Sequence, residues 1–292
     1  MLMRFQSRYI NQILVYYKDM TKTPYKRTII ITGASAGIGL AAARELSTNN
    51  NVVIVGRSKE TVTLAKEIGV DYFRADYADL KSVRKLATDI LNKYPHIDLL
   101  INNAGGIMKD IRNTKDGFEQ TFQVNYLAPF LLTELLMDRI VSSKGAIINT
   151  SSAAHQFSRL NSDDLQQAKR PFSAYANAKL LDLIHAQELA RRYGSKGVQA
   201  VSFHPGVVAT SFARNANGLF GWMYNTAMKR LLKTSAEGAD TMVWLANNRD
   251  VWQSGSYYDN RKLASIAKLA KDPMIGEKIW KMSDTLLSNF EK

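Results

Sequence analysis

Short, continuously apolar runs alternate with longer amphipathic segments along most of this chain. The runs have the length and β-branched content of buried strands, and the segments have the apolar spacing of helices. The predicted strands are residues 28–32, 52–55, 71–74, 97–101, 146–149 and 198–203. The predicted helices are residues 37–48, 59–68, 79–93, 118–140, 174–193 and 234–247. Because strands alternating with helices pair in parallel beneath two helical layers, the pattern predicts an α/β fold on one doubly wound parallel sheet of about seven strands.

Composition fits one globular domain without thiol chemistry. The chain has 292 residues, of which 46% are hydrophobic and 22% are charged. Cysteine is absent and the four histidines have no metal-ligand spacing, so neither a disulfide nor a metal site is expected. We predict a single domain over residues 27–292 in a cytoplasmic protein.

The formal net charge of +13 is compatible with a nucleic acid, a membrane surface or a polyanionic cofactor as partner. Lysine and arginine are spread along the chain without a run of five, which argues against a nucleic acid. No apolar stretch reaches about 18 residues, so no membrane-spanning helix is predicted.

An N-terminal extension, residues 1–26, precedes the predicted domain. Aromatic and aliphatic residues recur in it near helical spacing, flanked by Arg4, Arg8 and Lys18. The pattern predicts an amphipathic helix. We favour docking of this helix on the body of the protein or on a partner subunit, and peripheral contact with a membrane is the alternative.

The first predicted strand runs into the glycine-rich turn TGASAGIG, residues 32–39, and a helix follows at once. Gly33 lets the chain turn sharply, Gly37 lets a pyrophosphate approach the backbone, and Gly39 lets the helix lie close to the sheet. The helix N-terminus adds free N–H groups and a positive dipole end. A Rossmann-type dinucleotide site is therefore predicted, and an ordinary glycine-rich turn is the alternative.

The end of the second predicted strand indicates which dinucleotide binds. An acidic residue that would accept the ribose 2′-hydroxyl of NAD is absent there, and the sequence reads Gly56-Arg57-Ser58-Lys59. Arg57 could clamp a 2′-phosphate with help from its two neighbours. Alternatively Arg57 is a surface residue at a helix start, where its charge would oppose the dipole. We predict NADP(H) as the cofactor.

Tyr175 and Lys179 lie four residues apart on a predicted helix, so their side chains share one face. A phenol with an ordinary pKa of about 10 transfers protons poorly near neutrality. A nearby ammonium and an oxidised nicotinamide both favour the phenolate. The pair therefore predicts an acid/base centre, although most pairs with this spacing are solvated helix faces.

Thr150, Ser151 and Ser152 follow the fifth predicted strand, at the edge of a parallel sheet where ligands bind. A serine there could hydrogen-bond a substrate carbonyl oxygen and stabilise its developing charge. Either serine could instead cap or close the turn.

Asn125 interrupts the apolar helical stretch TFQVNYLAPFLL. A buried asparagine is costly unless its side chain is hydrogen-bonded. Asn125 could therefore serve a helix kink near Pro129, a functional site, or both.

Together these motifs resemble the short-chain dehydrogenase/reductase family over residues 27 to about 290. The glycine turn has the spacing G-x-x-x-G-x-G, and NNAG at 102–105 follows the fourth predicted strand. The long segment between Ser152 and Tyr175, with LLDLIHAQELARR, HPGVVAT and IWKMSDTLL after it, resembles the retinol-dehydrogenase-like and WW-domain-oxidoreductase-like branch.

The resemblance implies roles for individual residues. The catalytic set is Asn125, Ser152, Tyr175 and Lys179, in which Asn125 holds a water in a relay to the lysine. Asp76 corresponds to a residue that contacts the adenine amine, and 204–210 to the segment around the carboxamide; we interpret His204 itself as structural. The implied cofactor-binding residues are Gly33, Ser35, Gly37, Ile38, Gly39, Arg57, Ser58, Asp76, Tyr77, Asn103, Ala104, Gly105, Tyr175, Lys179, Pro205, Gly206, Val208 and Thr210.

We therefore expect an NADP(H)-dependent oxidoreductase that interconverts an aldehyde or ketone and an alcohol on a bulky, apolar small-molecule substrate. Residues 211–233 would form either a lid over the site or a surface hairpin, and 155–172 the opposite wall. Helices 118–140 and 174–193 would pair in a homo-oligomer. The alternative function is a non-enzymatic NADP(H)-binding sensor or scaffold on the same fold.

Overall fold

The computed structural model describes residues 25–208 and 233–290, so the predicted N-terminal helix and nearly all of the predicted lid lie outside the described residues. The strands are β1 (Thr28–Thr32), β2 (Asn51–Gly56), β3 (Asp71–Arg74), β4 (Leu99–Asn102), β5 (Ala146–Thr150), β6 (Gln199–His204), β7 (Tyr257–Asp259) and β8 (Lys262–Leu263). The helices are α1 (Gly37–Leu46), α2 (Glu60–Ile68), α3 (Leu80–Lys93), α4 (Gln120–Phe122), α5 (Ala128–Ser142), α6 (Pro171–Tyr193), α7 (Ser235–Asn247) and α8 (Pro273–Phe290). None of the described helices is long and apolar enough to cross a membrane.

The described strands form one sheet in the order β3-β2-β1-β4-β5-β6-β7-β8. Neighbours from β3 to β7 pair in parallel, and β8 pairs with β7 in the antiparallel direction at the edge. The chain moves outward from β1 to β3 and then returns to β4 on the other side of β1. This reversal creates the crevice in which doubly wound sheets bind ligands. The predicted fold class is confirmed, with eight strands instead of about seven.

The sheet is buried on both faces, as its continuous apolar strands predict. Ile29 and Ile31 of β1 belong to the apolar cluster that includes α1 and α7 residues. Ile30, which points the other way, belongs to the cluster that includes residues of α3, α5, α6 and α8. The two layers hold the carboxyl ends of the central strands at one common edge, where the site lies.

Three elements are absent from the sequence-based assignment. Strand β7 has three residues and β8 has two, which is too short for a periodic apolar signal. Helix α8 has a clear apolar side, but its place in the fold depends on contacts with α5 and α6. The ring of Trp280 lies edge-on to the ring of Phe130, with 4.8 Å between the two centroids. The Arg192 guanidinium lies 4.4 Å from the centroid of the Trp280 ring.

Helix α8 bears directly on the predicted subunit pairing, because it packs on part of the α5 and α6 surface. Besides the Trp280 contacts, the hydroxyls of Tyr126 and Ser283 are hydrogen-bonded at 2.8 Å. A second subunit that used the same surface would have to displace this packing. The homo-oligomer remains a prediction.

Glu134 of α5 should make the stability of this region depend on pH. Burial, and then the nearby Asp284 carboxylate, raises the pKa of Glu134 to about 7. Because this folded pKa exceeds an unfolded value of about 4.3, the stabilisation present at low pH is lost as pH rises through about 7. We expect Glu134→Gln to raise the free energy of unfolding above neutral pH by about 1–3 kcal/mol.

Urea unfolding of both proteins across this pH range checks that expectation. The matched control is Asp138→Asn, which makes the same carboxylate-to-amide change at an exposed position of α5. Equal pH dependence in the wild type and Glu134→Gln would contradict the prediction.

Candidate active site

A cavity of about 440 Å³ opens at the carboxyl ends of the central strands. The glycine turn lines one side, and the ends of β5 and β6 line another. Side chains of Phe157 and Phe172, from the segment predicted to form a wall, also line it. Many sequence-predicted residues therefore meet in one place: Gly33, Gly37, Ile38, Gly39, Asn103, Gly105, Ser152, Tyr175, Lys179, Pro205, Gly206 and Val208.

The glycine turn leaves no room for side chains. Gly33 has φ of 66°, and a Cβ atom on it would lie 2.6 Å from Ala104 Cα. A Cβ on Gly39 would lie 2.6 Å from Asn103 Nδ2 and 2.7 Å from Gly33 O. Helix α1 begins at Gly37, and its N-cap residue is Ala36, whose side chain cannot cap it. The first N–H groups of α1 thus face the cavity edge, as a pyrophosphate site requires.

Asn103 stabilises this turn through hydrogen bonds. Its Nδ2 donates to Thr32 O at 2.9 Å and to Gly33 O at 3.2 Å. Thr32 Oγ1 in turn accepts the backbone N–H groups of Asn103 and Ala104, both at 3.0 Å. The NNAG segment therefore fixes the geometry of the phosphate loop, since every one of these bonds joins β1 to the end of β4.

The end of β2 carries more positive charge than the sequence motif indicated. Arg57 and Arg74 are both exposed, and the Arg74 guanidinium donates to Arg57 O at 3.1 and 3.3 Å. Arg74 was missed because it lies on β3, 17 residues further on, and only strand pairing brings it here. The Ser58 side chain hydrogen-bonds Glu60 and lowers the pKa of that carboxyl. Two exposed arginines are therefore joined at the carboxyl ends of β2 and β3.

The predicted adenine contacts lie at the end of β3. Asp76 Oδ1 accepts from Ala78 N at 3.0 Å and shapes a tight turn. Tyr77 is buried in the core, and burial raises the pKa of its hydroxyl far above the usual value. A cofactor contact of Tyr77 would therefore use its backbone. The glycine turn, the N-terminus of α1 and the neighbouring residues Arg57 and Arg74 together have the chemistry that a phosphorylated dinucleotide requires.

Asn125 is 1% exposed and lies in a π-helical turn, Gln123–Leu127. Pro129 cannot donate to the carbonyl of residue 125, which is one reason why the helix widens here. Asn125 Nδ2 donates to Thr121 O at 2.9 Å and to Gly106 O at 3.0 Å, and its Oδ1 accepts from Gly106 N at 2.8 Å. This side chain therefore joins the widened turn to the loop beside the cavity.

Tyr175 and Lys179 lie close together on α6, as their spacing predicts. Lys179 Nζ lies 5.6 Å from the Tyr175 ring centroid, and both residues are buried. Burial raises the pKa of Tyr175, while the Lys179 charge and a hydrogen bond with the Ser152 side chain act to lower it. In this state the phenol keeps its proton, which it can pass to an oxygen bound beside Ser152.

The two serines after β5 have different roles. Ser151 Oγ donates to Lys179 O at 2.6 Å and so ties the strand end to α6. Ser152 lies beside the Tyr175 hydroxyl, and its Oγ also accepts from Ala154 N at 3.2 Å and so caps the following turn. Both serines line the cavity. His204 also lines the cavity at the end of β6, and burial lowers its pKa. Ser35 lies in the glycine turn, and Thr210 lies outside the described residues.

Asp182 is a further member of this group that the sequence analysis missed. Its Oδ2 accepts from Lys179 Nζ at 2.8 Å, and the same ammonium donates to Thr150 O at 2.8 Å. Both partners of this ion pair are buried. The i, i+3 spacing of Lys179 and Asp182 was the available signal.

Comparisons with known proteins agree with this geometry. A sequence model described as short chain dehydrogenase matches residues 27–218. The DnrU protein of Streptomyces sp. (strain C5), whose name proposes a daunorubicin C-13 ketoreductase activity, is 39% identical over 269 residues, covering 88% of this chain and 91% of that protein. Retinol dehydrogenase 12 of Mus musculus is 35% identical over 274 residues, covering 89% and 86% respectively.

A solved structure of an uncharacterized protein from Mycobacterium Paratuberculosis has the same fold, with a TM-score of 0.72 and 29% identity. The similarity covers 89% of this chain and 92% of that one. The chain therefore belongs to the short-chain dehydrogenase/reductase family, in its retinol-dehydrogenase-like branch, and is an oxidoreductase.

Proposed function

We propose that this protein uses NADP(H) to interconvert a carbonyl group and an alcohol on a bulky apolar substrate. One observation carries the proposal. Ser152, Tyr175, Lys179 and Asn125 come from three separate segments of the chain, yet they gather beside one cavity at the switch point of the sheet. A cofactor-binding scaffold without chemistry would have no need of a buried phenol beside a buried ammonium.

The protein's own groups would position the substrate and move its proton. Bound NADPH would supply the hydride. Ser152 donates a hydrogen bond to the substrate carbonyl oxygen, and Tyr175 gives that oxygen its proton. Lys179 fixes the phenol electrostatically and offers its third N–H to a ribose hydroxyl. The Asn125 side chain is hydrogen-bonded to backbone groups and so fixes the loop next to which a relay water would bind.

The apolar substrate is inferred from the cavity lining. Ile107, Phe157, Phe172, Val207 and Val208 contribute apolar surface, and the aromatic rings of Phe157 and Phe172 lie 6.4 Å apart. The names of two relatives refer to retinol and to a ketone of daunorubicin, which are both bulky molecules. We extend that substrate class to this chain, with a small molecule and not a nucleic acid as partner, in the cytoplasm.

The cofactor preference can be tested at Arg57. Replacing it by serine removes a charge-assisted hydrogen bond to the 2′-phosphate, which is worth about 1.5–3 kcal/mol. We expect the kcat/KM ratio of NADPH over NADH to fall about tenfold to hundredfold. Arg44→Ser is the matched control, because Arg44 is an exposed arginine in the last turn of α1 that is paired with Glu67 of α2. An unchanged ratio in Arg57→Ser would refute the assignment of the 2′-phosphate site.

The reaction itself is tested by following NADPH absorbance with a panel of aldehydes, ketones and quinones. Consumption of NADPH that depends on the carbonyl compound supports the proposal. Tight NADPH binding with no turnover across the panel would favour the sensor or scaffold. Absence of binding by either nicotinamide cofactor would overturn the proposed function.

A further inference from the structure

The Lys179 ammonium has two fixed partners, and one of them carries a full charge. Besides Thr150 O, it contacts Asp182 Oδ2 at 2.8 Å, and both side chains are almost completely shielded from water. Gly105, which has no side chain, lies next to the ammonium, because a Cβ on it would be 3.5 Å from Nζ. The ammonium is thus held at one point by a carboxylate that the proposed chemistry does not require.

A carboxylate at this point opposes the usual effect of the lysine. An isolated ammonium favours the phenolate form of a neighbouring tyrosine, whereas an ammonium paired with a carboxylate contributes much less net charge. Because the site has a low dielectric constant, the influence of the ammonium on Tyr175 and that of the carboxylate on Tyr175 are both strong. The charge of Asp182 acts to raise the pKa of Tyr175, in addition to the larger effect of burial.

The other groups around this pair do not supply a compensating charge. On α6, burial lowers the pKa of His185 to about 3, so that its ring is neutral. Tyr126, from the π-helical turn, is buried and its pKa is raised, so it is also neutral. Tyr257 of β7, which faces Tyr175, has a raised pKa as well. Asn149 contributes only an amide N–H, which donates to Asp182 O at 3.0 Å.

We propose that Asp182 is a positioning residue that offsets the charge of Lys179, keeps Tyr175 in its proton-donating form and so adapts this site to carbonyl reduction. The inference rests on the proposed function for its meaning, because only a reductase needs a protonated tyrosine before hydride transfer. The predicted effect of Asp182 on the protonation of Tyr175 does not depend on any substrate.

The test is a titration of Tyr175 by its phenolate absorbance in the free protein. The absorbance change of Tyr175 is obtained by subtracting the titration of a Tyr175→Phe protein from that of the same protein with Tyr175. This subtraction is made once in the wild-type background and once in the Asp182→Asn background. We expect the midpoint to fall by about one pH unit in Asp182→Asn. Asp182→Glu, which retains the charge, should return it towards the wild-type value.

Glu188→Gln is the matched control. Glu188 is a buried carboxylate on the same helix, but it is paired with Arg191 and Arg192, so its replacement should leave the midpoint unchanged. If Asp182→Asn does not fold, Asp182→Ser provides the neutral side chain instead. An unchanged midpoint would overturn the inference. So would a raised midpoint, since it would mean that Asp182 serves to keep Lys179 protonated. Neither result depends on turnover, so failure of the proposed function would be recognised separately.

Discussion

Tyr175→Phe is expected to lower kcat for carbonyl reduction by about 10²–10⁴-fold, the usual contribution of a general acid. The substitution removes one hydroxyl and keeps the ring, which is buried beside Lys179 and Ser152. Affinity for NADPH should change little, because the substitution does not touch the glycine turn, the N-terminus of α1, Arg57 or Arg74. Steady-state turnover together with NADPH titration by fluorescence separates the two effects.

The matched control for this substitution is Tyr94→Phe. Tyr94 is also a buried tyrosine, but its hydroxyl bonds Asp71 Oδ2 at 2.5 Å near the opposite end of the sheet. The Tyr94→Phe protein should therefore keep the turnover of the wild type. A Tyr175→Phe protein with wild-type turnover would mean that another group supplies the proton and that the acid/base assignment is wrong.

Lys179→Met should reduce both activity and stability. Without the ammonium, Tyr175 loses the charge that helps it to release its proton and keeps only the hydrogen bond with Ser152, so we expect turnover to fall at least about a hundredfold. Asp182 is then left as a buried carboxylate without a partner, which typically costs about 3–5 kcal/mol. Thermal and urea unfolding measure this second effect directly.

The loss of stability should depend on pH with a defined sign. Even in the wild type, burial raises the pKa of Asp182 to about 6, against the lowering influence of Lys179. Because the folded pKa lies above the unfolded value of about 3.9, the stabilisation present at low pH is lost as pH rises through the folded pKa. Lys179→Met raises the folded pKa further. The variant should therefore approach wild-type stability near pH 4 and lose it progressively above that.

A double variant distinguishes these effects. Lys179→Met with Asp182→Asn leaves no buried charge at the pair, so stability near neutral pH should recover while turnover stays low. If Lys179→Met alone were as stable as the wild type at neutral pH, the buried ion pair would not be the source of the predicted instability.

Much of the candidate site could be predicted from the sequence because its residues lie in local patterns. The glycine turn and the Tyr175–Lys179 spacing each depend only on one strand end or one helical face. The alternation of strand and helix similarly predicted the sheet, because each segment must bury its own apolar side. What these patterns share is that the interacting groups are a few residues apart.

The interactions that join distant segments required the tertiary structure. Arg74 reaches Arg57 through pairing of β2 with β3, and Asn103 braces a turn about 70 residues away. Ser151 and Ser152 both line the cavity, and only the packing shows that the Ser151 hydroxyl donates to Lys179 O whereas Ser152 lies beside Tyr175. Local preference does not separate the two serines, since both follow the same strand, and Ser152 was singled out only by the family resemblance.

The sequence by itself determined the doubly wound fold, the position of the glycine turn and the proximity of Tyr175 and Lys179 on one helix face, because periodicity and short spacings encode them. The tertiary structure alone decided that α8 packs over α5 and α6, that Asn125 joins its helix to the cavity loop, and that Lys179 is bound to a buried carboxylate. The physical reason is burial: whether a charge or a polar group is solvated or enclosed depends on every element packed around it. For Tyr175 and Lys179 that enclosure sets the chemistry.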